Sequence, residues 1–416
     1  MKASKIFMMA ALALMTASCS KENNLAEQPA NDEITITATI GAATRALAPD
    51  GDNINSTWEA TDEFAILFND GSTDVKRIAT VSSINGSSVT ITFTIPQALA
   101  NNTPCTIVYP ASAANAANTG ADVATALATQ DGTIGNCPEV RVGTATIDKV
   151  SHCLTGVTKL AAQNAIFKFT LQDLNDAAKS ATEFKVSDGS GNVITTVTPS
   201  PANGELYVAI PVLAAGTYWF NATVDSKPYI AKATTADATI AGKYYQTTVK
   251  MATVGDMIKS DGKFYKVGTS GAVAMIAYVG SASDCNHGLA IALTDEANSG
   301  NPMIYSEAET ACSGKTSVTG CTWRLPSAKD WQYMFIGCGS GETYSDPVNN
   351  MERSYSALYT KLSTAGGTVM DTYYYWSSTW HSYGTYAWDL SFMSDPAVFR
   401  YSPVDFKRAV RACLTF

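Results

Sequence analysis

The sequence predicts two all-β sandwich domains followed by an α+β domain. Threonine alternates with apolar residues in the early segments, and short apolar segments recur at regular spacing through the middle of the chain, as half-buried strands require. From about residue 251 the pattern changes, because five of the seven tryptophans and the clearest helical stripes lie there. Abundant Thr, Ser, Gly and Asn with sparse Lys and Glu also favour β-structure.

Residues 1–18 are predicted to be a lipoprotein signal peptide, and Cys19 is the predicted lipidation site. Two lysines begin the segment, its apolar run is far too short to span a bilayer, and small residues precede the cysteine. Acyl chains such as palmitate would hold Cys19 in membrane lipid, and the polar residues 19–32 would form a linker. The alternative is an ordinary secretory signal with an incidental cysteine. Either way an exported protein is predicted.

The composition argues against several classes of partner. The chain has 28 basic and 37 acidic residues and no basic run, so nucleic acid is not an expected partner. Three histidines and irregularly spaced cysteines argue against a zinc site, and no metal or other cofactor is predicted. Because an exported protein meets an oxidising compartment, the eight cysteines after Cys19 predict some disulfides, with their connectivity open.

The first sandwich is predicted over residues 33–158. Its first strand places Ile34, Ile36, Ala38 and Ile40 on one face and threonines on the other. Further strands are predicted at 64–68, 89–95 and 105–109. The stretch 111–145 is rich in Ala and Thr, and long loops are expected there.

The second sandwich is predicted over 159–250, from five short apolar segments separated by turn signals such as Asp188-Gly189. These predicted strands are 166–171, 193–197, 206–210, 217–224 and 244–249.

The α+β domain is predicted over 251–416. Ser327 and Asp330 form a capping-box pattern before an apolar stripe that predicts a helix. A second helix is predicted to carry four apolar residues and to stop at Gly366-Gly367. The two stripes are Trp331, Met334, Phe335 and Cys338, and Met351, Tyr355, Leu358 and Leu362. Short strands at 387–392 and 409–414 complete this domain.

The first 250 residues resemble the fimbrillin family of Bacteroidia-type pili. The likeness lies in the lipobox, the threonine-alternating strand, Arg45 in GAATRA, the segment WEATDEF at 58–64 and the ending GKYY at 242–245. The resemblance implies transthyretin-like sandwiches and cleavage between Arg45 and Ala46. Loss of the first strand would then open a slot for a donor strand from another pilin subunit. We expect that loss to forfeit about 5–9 kcal/mol from three isoleucines.

Residues 251–416 resemble the Fibrobacter-paralogue family of C-type-lectin-like domains. The motifs, in order, are WRLPS with DW at 323–331, YWSST at 375–379, AW at 387–388 and VRAC at 410–413. The resemblance implies a lectin-like α+β fold that presents variable loops for binding. The tripeptides of calcium-dependent lectins are missing from this region, so a surface glycan and a surface protein, of host or bacterial origin, both stay open as ligands.

Aromatic and small polar residues crowd one segment of this domain, as they do in antibody paratopes. The predicted ligand-binding residues are Trp380, His381, Ser382, Tyr383, Thr385, Tyr386, Tyr373 and Tyr374. Trp376 and Trp388 are predicted to be core residues instead.

Together these features predict a fimbrial tip adhesin that is first an outer-membrane lipoprotein precursor and then part of a cell-surface fimbria. Its last segment, 410–416, is expected to be a closing strand, so the subunit would accept a donor strand without giving one. One alternative is a surface lipoprotein outside pili that binds glycan or protein. Another is an enzyme similar to formylglycine-generating oxidases, with copper on Cys312 and Cys321 or on Cys338 and Cys413. No complete phosphate loop, dinucleotide fingerprint or hydrolase elbow occurs, so catalysis is not predicted.

Overall fold

A computed structural model describes residues 33–41, 48–50, 53–55, 57–157, 159–281, 284–296, 302–370 and 373–416. Within these ranges the chain is mostly β-sheet, with four α-helices and a 3₁₀ turn at Ala111–Ala113. Its sheets fall into three groups along the sequence.

Seven strands of the first group form one closed ring. Strands β1–β11 are Glu33–Ile40, Ala48–Asp50, Asn53–Asn55, Glu63–Asn69, Asp74–Asn85, Ser88–Pro96, Thr103–Tyr109, Thr129–Gln130, Arg141–Asp148, Cys153–Thr155 and Ala161–Ala162. The ring runs β10-β1-β6-β5-β4-β7-β9 and closes because β9 also pairs with β10. Apolar side chains from every ring strand except β10 fill its interior with a buried core, and Leu154 of β10 packs against it. The predicted sandwich is therefore one sheet wrapped around one core. Closure removes the exposed edges that an open sheet would present.

Strand β4 packs on both of its faces, against the ring core on one side and against the second group on the other. Its run Phe64–Phe68 is continuously buried, as in strands covered on both faces. Phe64, Ile66 and Phe68 face the ring interior. Ala65 and Leu67 pack outside against Ile166 and Ala209 of the second group.

The second group is a sandwich of two sheets. Strands β12–β18 are Asn164–Asp173, Glu183–Ser187, Val193–Val197, Glu205–Pro211, Gly216–Val224, Lys227–Thr235 and Tyr244–Met251. One sheet is β15-β12-β18 and the other is β17-β16-β13-β14-β8. Both contribute side chains to a shared core that includes Phe169, Phe184 and Val208. We call this group the middle sandwich.

A segment that precedes β9 of the ring completes the middle sandwich. Long loops were expected here, but the chain forms α1 (Val123–Ala126) and β8, which pairs with β14 in parallel. The Gln130 side chain then bonds the exposed edge of β15: its amide nitrogen donates to Ala209 O at 2.7 Å, and its oxygen accepts from Ala209 N at 2.8 Å. A Cβ at Gly132, where φ is +77°, would lie 2.9 Å from Leu206 and Val197. The crossing segment 127–132 thus covers an edge of each sheet, and residue 158 does not divide the chain cleanly.

The third group, which we call the C-terminal module, combines three helices with two sheets. Strands β19–β28 are Met257–Ile258, Phe264–Tyr265, Ala274–Val279, Gly288–Ala292, Thr322–Arg324, Met351–Arg353, Tyr374–Trp380, Tyr386–Ser391, Ala397–Pro403 and Cys413–Thr415. Helices α2–α4 are Tyr305–Ser313, Ala328–Cys338 and Ser356–Thr364. The sheets are β20-β19-β21-β22-β28-β23 and β24-β27-β26-β25.

Helix α3 confirms the capping prediction, and α4 corrects one. Ser327 Oγ accepts from Asp330 N at 3.0 Å, and the Asp330 carboxylate accepts from Ser327 N at 2.7 Å. Met351 was predicted to lie in the second helix, but it pairs with Phe399 in β24. Tyr355 is the N-cap residue of α4. The helical spacing of Met351 is incidental, because cross-strand pairing decides its conformation.

The expected disulfides are wrong for seven of the eight cysteines. Cys105, Cys137, Cys153, Cys312, Cys321, Cys338 and Cys413 are free thiols. Cys105, Cys137, Cys312 and Cys338 are buried in four different apolar cores, as small apolar residues are. Burial raises the pKa of Cys105, Cys137 and Cys338 to about 12, so the thiolate needed for disulfide exchange is scarce.

We predict that Gln130→Leu destabilises the middle sandwich by about 2–6 kcal/mol. Leucine removes both partners of the buried Ala209 backbone, and each buried polar group left unsatisfied costs about 1–3 kcal/mol. Urea unfolding followed by circular dichroism measures the loss.

Gln163→Leu is the matched control, because among the described residues that side chain donates to the carbonyl of Ala161, two residues earlier, in an exposed position. Its expected effect is within about 0.5 kcal/mol. Equal effects of the two substitutions would contradict the role given to Gln130.

Candidate functional site

Strand β1 fills a slot in the wall of the ring. It pairs with β6 in antiparallel register over its whole length, from Glu33 opposite Pro96 to Ile40 opposite Val89. On its other side it bridges β10 at Thr37, whose N donates to the His152 carbonyl at 3.0 Å, and just past its end Gly41 bridges Lys159. The strand is therefore held mainly along one edge.

The predicted alternation of β1 is confirmed. Ile36, Ala38 and Ile40 are at most 4% exposed, and Ile34 is half-buried against the same core. Because Ile34 is only half-buried, the apolar contribution expected from β1 falls to about 3–6 kcal/mol from two fully buried isoleucines.

Three predicted processing residues, Cys19, Arg45 and Ala46, lie outside the described residues. Among the described helices, none is long and apolar enough to cross a membrane.

The turn between β25 and β26 carries a cluster of aromatic rings. His381 N donates to the Tyr386 carbonyl at 2.9 Å, and Gly384 N donates to the His381 carbonyl at 3.0 Å, with Gly384 at φ +71°. The His381 ring stacks on Tyr401 at 4.1 Å between ring centroids, and Tyr383 lies 4.5 Å from His381. We call His381, Tyr383, Tyr386, Trp388 and Tyr401 the hairpin cluster.

Tyr383 is the most exposed ring of this cluster. Its side chain is 65% exposed, although its ring contacts His381, Tyr386 and Tyr401 within about 6 Å between centroids. A ring supported on several sides loses little conformational freedom when a ligand covers it.

The other predicted ligand-binding residues do not belong to the hairpin cluster. Ser382 and Thr385 are exposed in the turn. The exposed Trp380 ring packs on Tyr305 of α2 at 4.9 Å between centroids. Two tyrosines lie at the start of β25, the end opposite the turn. Tyr373 is 57% exposed, and the Tyr374 ring contacts the Arg408 guanidinium at 4.6 Å.

Two tryptophans of this region are buried as the sequence predicts, and two tyrosines that contact the predicted ligand-binding residues were not predicted. Trp376 and Trp388 are buried, as predicted. Tyr401 was missed because it comes from β27, and only the β26–β27 register brings it opposite Trp388. Tyr305 was missed with the whole of α2, although its buried residues recur with helical spacing.

A buried ion pair lies beneath the hairpin. Arg408 Nε donates to Asp389 Oδ2 at 2.7 Å, and the Ser402 hydroxyl donates to the same oxygen at 2.7 Å. Burial raises the pKa of Asp389, and the hydrogen bonds from Arg408 and Ser402 oppose that rise. Asp389 of β26, Ser402 of β27 and Arg408 before β28 are thus bonded to one another. These bonds hold together the strands that carry the hairpin cluster.

Two of the cysteines proposed for copper lie in surroundings that disfavour a thiolate. Cys312 and Cys413 are fully buried, and burial raises the pKa of both thiols, which disfavours the thiolate that binds a metal. No group of three His, Cys, Asp or Glu side chains converges as metal ligands in the described ranges.

Comparisons with known proteins give weak similarities to fimbrial structures. No family model matches the chain, and no curated protein matches it at a significant level. The chain is similar to a fimbrial protein from Bacteroides ovatus at 12% identity over 93% of this chain and 100% of that one, with a TM-score of 0.29. It is also similar to a fimbrial assembly protein from Parabacteroides distasonis at 11% identity over 52% and 92%, with a TM-score of 0.30. Similarity at this level transfers neither a fold nor a function.

We predict that Arg408→Met destabilises the C-terminal module by about 3–5 kcal/mol, because it leaves the Asp389 carboxylate buried without its cation. Thermal unfolding measures the loss.

Arg400→Met is the control. Arg400 lies opposite Asp389 in the β26–β27 register but is exposed, so its loss is expected to change stability by less than about 0.5 kcal/mol. A similar loss in both variants would show that charge alone, and not the buried pair, is responsible.

Proposed function

We propose that this protein is a cell-surface fimbrial subunit that accepts a donor strand after proteolysis removes β1. The observation that carries the proposal is the position of β1, which plugs an apolar slot in an otherwise continuous ring and is paired fully on one side only. An incoming strand with the same alternation would restore both the core and the ladder with β6.

Processing at Arg45 supplies the release step of this proposal. The precursor is exported and held in the outer membrane by lipid on Cys19. Cleavage between Arg45 and Ala46 cuts the covalent link between β1 and the remainder of the ring. The lipid then leaves with the displaced strand, and strand exchange holds the mature subunit in the fimbria.

The final strand supports a position at the fimbrial tip. Strand β28 lies between β22 and β23, and Cys413 and Leu414 are fully buried. Withdrawing this segment to serve as a donor would break two ladders and open the core of the module. The subunit therefore accepts a strand but does not give this one.

At the tip, the hairpin cluster is the proposed adhesive surface. Exposed, supported aromatic rings beside the hydroxyls of Ser382 and Thr385 offer large contact area with adaptable hydrogen bonding. The proposed ligand is a glycan or a protein on a host or bacterial surface. A surface lipoprotein outside pili would use the same surface without strand exchange.

We predict that an arginine-specific protease converts the folded precursor into a species beginning at Ala46, because a linker of small residues is accessible to proteases. Amino-terminal sequencing checks the cut. Arg45→Gln should remain intact.

Arg77→Gln is the matched control, since Arg77 lies within β5, 3.7 Å from Glu33, and should be cut at Arg45 as the wild type is. Resistance of the folded wild type at Arg45 would remove the mechanism and leave the non-pilus alternative.

We predict that Tyr383→Ala lowers binding to the natural surface ligand by roughly 30-fold, the loss of about 2 kcal/mol typical of an aromatic hot spot. A glycan array and a pull-down of cell-surface proteins identify the ligand, and titration against it gives the change in affinity.

Val348→Ala also removes an exposed apolar side chain, 59% exposed, but lies before β24 and outside the cluster. It should bind normally. Normal binding by the Tyr383 variant would place the ligand elsewhere.

A further inference from the structure

An aromatic stack lies at the edge of the apolar core in which Trp219 and Ile230 of the middle sandwich pack against the C-terminal module. The Trp219 ring of β16 stacks on His287 at 3.9 Å between centroids, with 18° between the planes. Phe264 and Phe416 each lie 6.3 Å from the same tryptophan. The Lys232 ammonium of β17 lies 5.3 Å from the Trp219 ring and 5.6 Å from the Phe264 ring.

His287 is buried in this junction. Its backbone N–H donates to the Phe416 carbonyl at 3.1 Å, and its side chain is enclosed, with the residue 5% exposed. Its Cε1 atom lies close to Gly191, 3.7 Å from where a Cβ would stand. Within the described part of the chain, the buried Nε2 atom has no hydrogen-bond partner. An imidazolium there would have no acceptor for its second proton.

The charges around the ring also favour neutral imidazole. Burial is the main reason that the pKa of His287 is lowered to about 4. The positive charge of Lys232 lowers this pKa further, and the negative charge of Asp188 raises it. Asp188 already accepts from Ser190 and Asn192 in its own turn. The other titratable groups lining the adjacent clefts are Glu183, Lys185, Tyr229, Asp284, Cys285 and Cys321. Of these, Glu183 and Lys185 pair with each other at 2.7 Å.

We propose that His287 is an acid-sensitive latch, which holds the C-terminal module against the middle sandwich while the imidazole is neutral and releases it when the imidazole is protonated. The backbone pair between Ile230 and Ala252, at 2.8 and 2.7 Å, keeps the two parts connected, so release is a hinge opening and not a separation.

The direction of the pH effect follows from the difference in the pKa of His287 between the open and the closed arrangement. In the open arrangement His287 is solvated and has its ordinary pKa of 6.5, whereas in the closed one the value is about 4. As pH falls from well above 6.5 to well below 4, the ratio of closed to open molecules therefore falls by up to tenfold per unit, about 300-fold in all. Below pH 4 both arrangements carry the proton and the ratio stays constant.

Small-angle scattering of the full chain from about pH 7.5 to about pH 3.5 tests the latch, with circular dichroism recorded on the same samples. The wild type should expand reversibly in acid while its sheet content stays constant. His287→Phe keeps a ring on Trp219 but cannot be protonated, and should stay compact. His287→Arg places a permanent charge in the junction and should be expanded already at neutral pH.

His381→Phe is the control, because that histidine lies in the hairpin cluster, and it should expand like the wild type. Expansion of His287→Phe at the wild-type midpoint would overturn the latch and assign the transition to carboxylates. A wild type that stays compact throughout would also overturn it. If His287→Phe does not fold, NMR titration of His287 in the wild type decides: its midpoint must coincide with the expansion.

Discussion

The crossing of the chain between the ring and the middle sandwich is the constraint on which the other features depend. The chain leaves the ring after β7. Residues 127–132 then pair with β14 and cover β15 through Gln130, and the chain returns to the ring in β9. Two neighbouring strands in sequence thus belong to different cores. Leu127 of the crossing segment lies in the buried cluster between the two groups, together with Ala65 and Leu67 of β4, so the ring that holds β1 packs against the middle sandwich through the outer face of β4.

Two strands of the molecule differ in how firmly they are held. Strand β1 shares one full ladder with β6 and one bridge with β10, with a second bridge at Gly41 just past its end, and its side chains fill a core that other strands surround. Strand β28 has partners on both sides, and buried residues of the C-terminal module enclose it. The two strands therefore differ in the number of hydrogen-bonded ladders that would have to break before each could leave its sheet.

Local pattern predicted those elements whose burial is regular. Strands β1 and β6 alternate strictly, and α3 has both a cap and an apolar stripe. Strand β5 escaped prediction because only Ala79 among its twelve residues is buried. Strand β17 carries lysines and Pro228, which weaken a strand pattern. Gln130 and Tyr401 could not be predicted, since their roles arise from partners that only the folded register supplies.

The arrangement of β12 and β18 has a mechanical consequence. These strands run parallel in register from Ile166 opposite Tyr244 to Asp173 opposite Met251. The chain enters β12 from the side of the ring and leaves β18 toward the C-terminal module. Tension between those two parts would pull the strands in opposite directions along their axes, so their hydrogen bonds would be loaded together in shear instead of being unzipped one at a time. A pull between the ring and the C-terminal module would therefore be resisted by all the hydrogen bonds of this ladder at once.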